Sequence, residues 1–438
     1  MSEKIPKGWK WVKLGEVAKY HFSTNKEEKL NKLVLKNLAK LNFWRVKGMS
    51  EWKEVKLKTI CSDISYGYTA SASKEKVGPK FLRITDITSG KINWDTVPYC
   101  RISEKDYHKY KLSIGDIVIA RTGTLGSSAI IKNDIDAVFA SYLIRFRIDE
   151  KLADPFFISY VLQSQDFKEY VNAVNSGSVQ PGTNARQLGD YELPLPPLPE
   201  QKAIAEVLSS IDDKIDLLHR QNKTLEEMAM TLFRKWFIED VKEDWEEVKL
   251  GEYFDLLGGF PFKSKDYSDF GKYKIITIKN VQDGYLDISN SQTIENLPQN
   301  IKPYQILEIG DILISLTGNV GRICIVDTNN CLLNQRVAKI VPKNSEWKPF
   351  AYFYFKRAEI TQILTNLAKG SAQLNLSPIE TLKLTDTFPS SERIEKFNKI
   401  VQPIFEKILT NKQQIRRLEQ LRDTLLPKLM SGEVRIMK

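Results

Sequence analysis

Apolar residues recur at alternating intervals of four and three along the segment from Glu200 to Phe237, so that they form one narrow stripe on a predicted helix. A long helix with so narrow a stripe is not stable alone in water and therefore needs a partner helix. A single polar residue, Asn222, interrupts the stripe. The stripe consists of Ile204, Leu208, Ile211, Ile215, Leu218, Asn222, Leu225, Ala229 and Leu232.

The partner helix is predicted in the same chain. The pattern returns 193 residues later (Phe397 against Ile204), again with one asparagine, Asn411. Pro403 lies near the start of this second helix and marks either a kink or the first helical turn. The second stripe consists of Phe397, Val401, Ile404, Ile408, Asn411, Ile415, Leu418, Arg422 and Leu425.

The two asparagines predict the register of the pair. Copies that arise by internal duplication are expected to lie about a pseudo-twofold axis, which makes the two helices antiparallel. Asn222 is expected to face Asn411, because an asparagine left against Ile or Leu would strand a buried amide at a cost of about 1–3 kcal/mol. In this register only Ile211 and Arg422 are mismatched, and we expect the Arg422 head to reach water.

The segments before the two helices are also copies of each other, at an offset of 193 to 195 residues. A repeat of this size predicts two domains of one fold, each closed by a long helix. The copies share a G-D-I run, a T-G-x-x-G turn and a G-S-x-Q loop, which begin at Gly115 and Gly310, at Thr122 and Thr317, and at Gly177 and Gly370.

Within each copy, short runs of β-forming residues alternate with Gly, Asp and Ser turns. One helix is predicted from Asp154 to Asn175, and the proline-rich run 193–199 predicts a stiff extended entry to the first long helix. The fold class is therefore α+β, with two tandem mixed α/β domains and two long helices packed as an antiparallel coiled coil.

The domain boundaries follow from the repeat. A W-x-x-V-x-L pattern starts each domain, and a further copy at Trp9 leads into too little chain for a domain, so we interpret the first residues as a truncated domain start or an over-long start of translation. The predicted parts are an N-terminal extension (1–49), domain 1 (50–199), the central helix (200–238), domain 2 (239–391), the C-terminal helix (392–432) and a tail (433–438).

The net charge of +10 and the pI near 9.1 favour a polyanionic partner, although a lysine-rich proteome would give the same balance. The sequence contains no apolar run of transmembrane length and no signal peptide at its start, which predicts a soluble, cytoplasmic protein. The four cysteines lack C-x-x-C spacing and the three histidines are scattered, so we expect buried free thiols and no metal site.

Signatures of catalysis are missing. No phosphate-binding loop with its lysine and no G-x-G-x-x-G after a strand is present. Glu54-Val55-Lys56 and Glu247-Val248-Lys249 resemble the E-x-K of metal-dependent nucleases, but charged residues that alternate on an edge strand explain them better. We therefore predict a subunit that is not an enzyme.

Polar residues suited to DNA occur in turns and loops at equivalent places in both copies. Arginine, small hydroxyl residues and backbone amides suit phosphates, and Asn, Gln and Arg suit base edges. For each residue alone, turn formation or a solvated side chain is an equally good explanation. The candidates are Arg121, Thr122, Gly123, Ser178, Gln180, Asn184 and Arg186 in the first copy, and Thr317, Gly318, Arg322, Asn334, Gln335, Arg336, Ser371, Gln373 and Asn375 in the second.

Taken together, residues 50–432 resemble the specificity subunit of type I restriction-modification systems. The resemblance rests on the repeated domain starts, the G-D-I strands with T-G-x-x-G turns, the G-S-x-Q loops, the proline-rich helix entry and the closing Leu425-Leu426-Pro427-Lys428-Leu429-Met430-Ser431-Gly432.

The resemblance implies two domains that each recognise half of a bipartite site in double-stranded DNA, with the helices fixing the gap. It implies partners, namely two adenine-N6 methyltransferase subunits and two restriction subunits, and it implies that S-adenosylmethionine, ATP and Mg belong to those partners, with no cofactor in this subunit. The alternatives are a coiled-coil adaptor that does not recognise DNA, and a DNA nuclease.

Overall fold

The computed structural model describes residues 9–12, 42–46, 52–87, 90–175, 182–241, 245–369 and 375–437. The strands are β1 (Trp9–Val12), β2 (Asn42–Val46), β3 (Lys53–Lys56), β4 (Cys61–Tyr66), β5 (Lys80–Leu82), β6 (Ile117–Ala120), β7 (Ser128–Ile130), β8 (Ala137–Phe139), β9 (Leu143–Ile148), β10 (Glu192–Leu195), β11 (Glu246–Lys249), β12 (Phe254–Gly258), β13 (Tyr273–Ile276), β14 (Thr293–Ile294), β15 (Ile306–Leu307), β16 (Ile312–Ser315), β17 (Ile323–Ile325), β18 (Cys331–Leu333), β19 (Val337–Pro342), β20 (Thr385–Phe388) and β21 (Val434–Met437). The helices are α1 (Glu104–Tyr110), α2 (Pro155–Val161), α3 (Gln165–Asn175), α4 (Ala185–Gly189), α5 (Leu198–Arg234), α6 (Lys348–Phe355), α7 (Ala358–Lys369), α8 (Pro378–Lys383) and α9 (Ser391–Met430).

Internal contacts divide the chain into two compact units, one formed by Met1–Lys214 with Arg417–Lys438 and the other by Ile215–Arg416. Each unit contains one domain of the repeat and a part of each long helix. The predicted class of two tandem mixed domains with two long helices is confirmed, whereas the exact domain boundaries remain predictions.

In the first unit the domain is built on an antiparallel sheet in the order β4-β9-β6-β7. Strand β6 is buried at all four positions, as expected for an inner strand covered on both faces. A short parallel pair, β5 with β8, lies beside this sheet in the fold, and β3 pairs with β10 in a separate two-stranded sheet. The predicted edge-strand character of Glu54-Val55-Lys56 agrees with this pairing.

The helix predicted from Asp154 to Asn175 is in fact two helices, α2 and α3. The Asp154 side chain accepts a hydrogen bond from the Phe157 amide and so caps α2. The Ser164 side chain accepts a hydrogen bond from the Phe167 amide, which satisfies a donor at the start of α3. A second cap inside the periodic pattern therefore interrupts the predicted helix.

Strands β1 and β2 pair antiparallel, and β2 pairs antiparallel with β21. The C-terminal residues 434–437, predicted as a tail, thus form a strand in a three-stranded sheet with two segments of the N-terminal extension. The remainder of residues 1–49 lies outside the described residues.

In the second unit the corresponding antiparallel sheet has the order β12-β19-β16-β17. A second, mixed sheet in the order β14-β13-β18-β15 is larger than its counterpart in the first domain, and β13 and β18 are its parallel pair. Strand β16 is again buried at every position. The two domains therefore share the central sheet and differ in the smaller one.

Both long helices differ at their ends from the prediction. Helix α5 begins at Leu198, two residues before Glu200, because a proline at position 199 is tolerated in the first turn. It continues into a π-helical turn over Lys235–Glu239. Helix α9 runs without interruption from Ser391 to Met430, so Pro403 lies inside the helix and does not form its first turn.

The predicted register is confirmed within the second unit. The Asn411 side-chain amide donates to Asn222 Oδ1 at 2.9 Å, and Asn222 Nδ2 donates to the Ile408 carbonyl at 3.4 Å. Both asparagines are buried. Phe233 packs edge-on against Phe397 with ring centroids 5.6 Å apart, which places the later part of α5 beside the earlier part of α9 and makes the pair antiparallel.

In the first unit the Arg422 side chain is 27% exposed, so its head partly reaches water as expected, but it also has partners within the protein. The guanidinium donates to Asp212 at 3.1 Å and also bonds Asp423. Asp212 in turn accepts a hydrogen bond from the Tyr160 hydroxyl at 2.7 Å, and burial raises the pKa of that tyrosine. A buried carboxylate next to Ile211 therefore provides the partner that the apolar pattern alone does not reveal.

The second domain is held to the helices by aromatic packing and by buried charges. Phe350 on α6 stacks on Phe233 with ring centroids 5.5 Å apart. Glu226 on α5 binds Lys356 at 2.5 Å and accepts a hydrogen bond from Tyr352 at 3.1 Å. Burial lowers the pKa of Lys412 on α9, although nearby Glu226 opposes the shift. Such a cluster is costly unless every charge is paired.

Candidate nucleic-acid interface

In the first domain, three strands of the central sheet present their ends at one edge. Strand β4 ends at Tyr66 opposite Ile144, and β6 ends at Ala120 opposite Leu143. Because β4 and β6 both run antiparallel to β9, the residues that follow or precede these ends lie side by side. This sheet end carries Tyr66, Arg121 and Tyr142.

The same sheet end recurs in the second domain. Strand β12 ends at Gly258 opposite Ala338, and β16 ends at Ser315 opposite Val337. The sheet end in this copy carries Gly258, Thr317 and Arg336.

The T-G-x-x-G motifs form the turns that leave the two sheet ends. Gly123 and Gly318 have φ values of 67° and 71°, in the left-handed region that favours glycine. Each turn is closed by an equivalent backbone bond, from Gly126 N–H to Ala120 O in the first domain and from Gly321 N–H to Ser315 O in the second. The turns place the Thr122 and Thr317 side chains at the sheet ends, as the duplication predicts.

A second pair of glycines fixes the close crossing of two strands, and the sequence reasoning missed it. A Cβ at Gly67 would lie 2.2 Å from the Ala140 carbonyl oxygen, and a Cβ at Gly259 would lie 2.2 Å from the Asn334 carbonyl oxygen. No side chain fits either place. The signal was a lone shared glycine inside segments whose other residues differ, Tyr66-Gly67-Tyr68 against Gly258-Gly259-Phe260.

Arg121 is held by its neighbours in the first domain. Its guanidinium carbon lies 5.0 Å from the centre of the Tyr66 ring, a cation–π arrangement. The Tyr66 hydroxyl accepts a hydrogen bond from the Ala185 amide at 3.0 Å, and Thr183 N–H donates to the Arg121 carbonyl at 2.9 Å. The structure therefore brings Arg121 together with the segment around Asn184, which lies more than sixty residues later in the chain.

Two buried polar groups at this place lack partners among the described residues. One is Nε of Arg121 itself, and the other is the Thr183 hydroxyl. A buried polar group without a hydrogen bond costs free energy, and most native structures contain few of them. The two unsatisfied groups therefore lie at a sheet end whose polar groups are not all paired within the domain.

Asn184 and Arg186 have additional local roles. The Asn184 side chain accepts from the Gln187 amide at 2.9 Å and so caps α4, and the Gln187 side chain accepts from the Asn184 amide at 3.1 Å. The Arg186 side chain is 90% exposed and lies 4.0 Å from Asp190. The turn-forming explanation therefore applies to Asn184, while the Arg186 side chain lies exposed at the surface beside Asp190.

In the second domain the candidate residues also converge. Thr317 forms an isolated antiparallel bridge with Asn375, and the Arg336 amide donates to the Asn334 side chain at 3.4 Å. Gln335 and Arg336 are exposed. Arg322 instead donates to Gln282 at 2.6 Å, so its guanidinium is engaged within the domain.

Four predicted residues, Ser178, Gln180, Ser371 and Gln373, lie outside the described residues. Most predicted coiled-coil positions are buried, while Leu225, Leu232 and Ile404 are half-buried. The buried positions are Ile204, Leu208, Ile211, Ile215, Leu218, Asn222, Phe397, Val401, Ile408, Asn411, Ile415, Leu418 and Leu425.

The cysteines are free thiols. Cys100, Cys324 and Cys331 are buried as predicted, whereas Cys61 is only partly so. Burial raises the pKa of Cys100 and of Cys331 to about 11, which keeps these thiols protonated and unreactive at neutral pH.

Among the described residues, no group of three His, Cys, Asp or Glu side chains could hold a metal ion. Within the same ranges, none of the helices combines the length and apolar character that crossing a membrane requires.

Comparison with known proteins identifies the family. The model of the type I restriction modification DNA specificity domain matches residues 6–227 and again residues 242–420. The specificity subunit of the type I restriction enzyme MjaIX of Methanocaldococcus jannaschii is 27% identical over 415 residues, covering 88% of this chain and 94% of the relative. The HindI specificity subunit of Haemophilus influenzae is 25% identical over 474 aligned positions, covering 88% of this chain and all of the relative (100%).

The fold has a match among solved structures. The S subunit of a type I restriction-modification system from M. genitalium superposes with a TM-score of 0.57 at 20% identity, covering 88% of this chain and 97% of that one. The relatives are named as specificity subunits and not as methyltransferases or nucleases, in agreement with the prediction of a non-catalytic subunit. With two copies of the domain matched over most of its length, the chain belongs to the type I restriction modification DNA specificity domain family.

Proposed function

We propose that the chain recognises a bipartite sequence in double-stranded DNA, with one half recognised by each domain. The observation that carries this proposal is the repetition of one sheet end with different side chains. The backbone turns and strand crossings are equivalent in the two copies, but Tyr66 and Arg121 in the first correspond to Gly258 and Leu316 in the second. One scaffold with two sets of polar groups suits two different base sequences.

Charge supports a nucleic-acid partner. The chain has a net charge of +10, and an arginine occurs at each sheet end, Arg121 in the first domain and Arg336 in the second. Neutralising phosphates releases counterions, so affinity for DNA is expected to fall steeply as salt rises. A subunit acting on DNA in this way works in the cytoplasm.

The long helices are proposed to dock the other subunits of the complex. Exposed apolar side chains on the helix parts of the second unit, Leu217, Met228 and Ile400, offer contact area that the chain itself does not cover. The partners are two adenine-N6 methyltransferase subunits and, in the full complex, two restriction subunits. S-adenosylmethionine, ATP and Mg then belong to those partners, and this subunit supplies specificity without a cofactor.

Co-expression with the cognate methyltransferase in a methylation-free host, followed by sequencing of the methylome, tests the proposal. We expect N6-methyladenine in an asymmetric motif of two specific parts separated by unspecified bases. The methyltransferase alone is the control. Methylation at a continuous motif, or methylation that does not depend on this chain, would contradict the proposal.

A further inference from the structure

An equivalent backbone hydrogen bond joins two neighbouring segments at each sheet end. The donor residue is an arginine in the first domain, and the acceptor residue is an arginine in the second. In the first domain Arg121 N–H donates to the Tyr142 carbonyl at 3.1 Å, and in the second Leu316 N–H donates to the Arg336 carbonyl at 3.0 Å. The arginine thus follows β6 in one copy and precedes β19 in the other. The two sheet ends present the same cation from adjacent strands.

Only the first of these arginines is held in place. The Tyr66 ring faces the Arg121 guanidinium at 5.0 Å, and the Tyr66 hydroxyl is fixed by the Ala185 amide. Gly67 allows the backbone beside Tyr66 to pack directly against Ala140, and this close packing fixes the backbone from which the Tyr66 ring extends. Tyr66 is 42% exposed, which leaves room for a ligand beside the stacked pair.

The second domain lacks this arrangement. Gly258 occupies the position of Tyr66, so no ring is available. The Arg336 residue is exposed, and its guanidinium has no hydrogen bond or ring contact among the described residues. Ordering Arg336 on a ligand therefore costs side-chain entropy that Arg121 has largely lost already.

The buried state of Arg121 Nε defines how this side chain can bind. With Nε enclosed and without a partner, the two terminal nitrogens are the donors that remain for a ligand. Two parallel donors on a planar group match the O6 and N7 acceptors of guanine in the major groove.

We propose that Tyr66 is a positioning residue for specificity, which holds Arg121 for bidentate recognition of one guanine in the half-site of the first domain. The proposal rests on the proposed function, since it assigns a base to a domain already taken to recognise DNA. The second domain recognises its half-site without an aromatic residue that holds its arginine.

The test uses the full-length chain with its methyltransferase, and the readout is the methylated motif and its degeneracy. Tyr66→Leu and Arg121→Ala should both lose discrimination at the same single position of one half-site, by roughly 5- to 150-fold, while the other half-site is unchanged. Tyr66→Phe retains the ring over the guanidinium and should retain the motif. Tyr99→Leu is the matched control, because this tyrosine of the same domain also carries a cation, Lys80, over its ring.

Unchanged selectivity in Tyr66→Leu, or a degenerate position different from the one altered by Arg121→Ala, would overturn the proposal. If Tyr66→Leu yields no methylation, Arg121→Lys decides, because it keeps the charge and loses the planar pair of donors. Wild-type selectivity in Arg121→Lys then contradicts the proposal. A wild-type motif that is not bipartite would contradict the proposed function itself, and so the two failures are distinguishable.

Discussion

At the scale of single residues, Asn222 and Asn411 select the register of the helices at a cost in stability. Replacing Asn411 alone by Leu removes the donor to Asn222 Oδ1 and leaves this oxygen buried against an apolar side chain, so we expect the unfolding temperature to fall, by the equivalent of about 1–3 kcal/mol. The double replacement by Leu should recover most of this loss, because both unpaired groups are removed. Calorimetry on the two single variants and the double variant measures the coupling, and additive losses would contradict the pairing.

Asp63 is a second single residue, and its contribution to the stability of the fold depends on pH. Burial opposes ionisation, but hydrogen bonds from Arg145 and Ser65 outweigh it and lower the pKa of Asp63 below its usual value. A carboxyl group with a lowered pKa stabilises the fold above its unfolded pKa, and this stability is lost as the pH falls through the folded pKa. The Arg145 side chain is only 5% exposed and lies 2.7 Å from Asp63.

Asp63→Ala should therefore lower the unfolding temperature at pH 7, and its difference from the wild type should shrink below about pH 4. The matched control is Asp255→Ala on the equivalent strand, because Asp255 and its partner Lys343 are both 43% exposed. An exposed pair contributes about 0–1 kcal/mol. Equal losses in the two variants at pH 7 would show that the burial of Arg145 has no effect on stability.

At the scale of elements, the sequence predicts the features that depend on the spacing of apolar residues and on local backbone chemistry. The heptad stripes gave both long helices, and the paired asparagines gave their register, because both follow from residues on a single face. The T-G-x-x-G turns were also predictable, since glycine is needed where φ is positive. The split of the helix at Ser164 was not, because serine is compatible with a helix interior as well as with a cap.

The stacked pair at the candidate site could not be predicted for a different reason. Tyr66 and Arg121 lie on strands separated by β9, and their contact depends on a sheet order that periodicity does not reveal. Asp212 and Arg422 meet through the packing of segments 210 residues apart. Such pairings become visible only when the tertiary arrangement is known.

Replacing Pro403 tests how much a proline inside α9 lowers the stability of the protein. A proline inside a helix lacks the amide hydrogen and costs about 3 kcal/mol relative to alanine. Because position 403 is exposed, Pro403→Ala should raise the unfolding temperature without creating a cavity. Pro427→Ala, near the end of the same helix, is the control and should have a smaller effect. A fall in the unfolding temperature of Pro403→Ala would mean that packing by the proline ring outweighs the loss that proline causes inside a helix.

At the scale of the whole molecule, internal duplication followed by divergence accounts for most of the architecture. The central sheets, their turns and the long helices are shared by the two copies, whereas the small sheets and the side chains at the sheet ends differ. A shared scaffold keeps the fold constant while the side chains at the sheet ends change. Each domain is therefore expected to determine its own half of the target independently.

Domain exchange tests this central claim most directly. Residues 52–199 are replaced by the corresponding domain of a related specificity subunit that has a different methylated motif, and the hybrid is co-expressed with its methyltransferase. Methylome sequencing should reveal a motif in which one half comes from the donor and the other half is unchanged. A motif identical to that of the parent, or one in which both halves have changed, would contradict the assignment of one half-site to each domain.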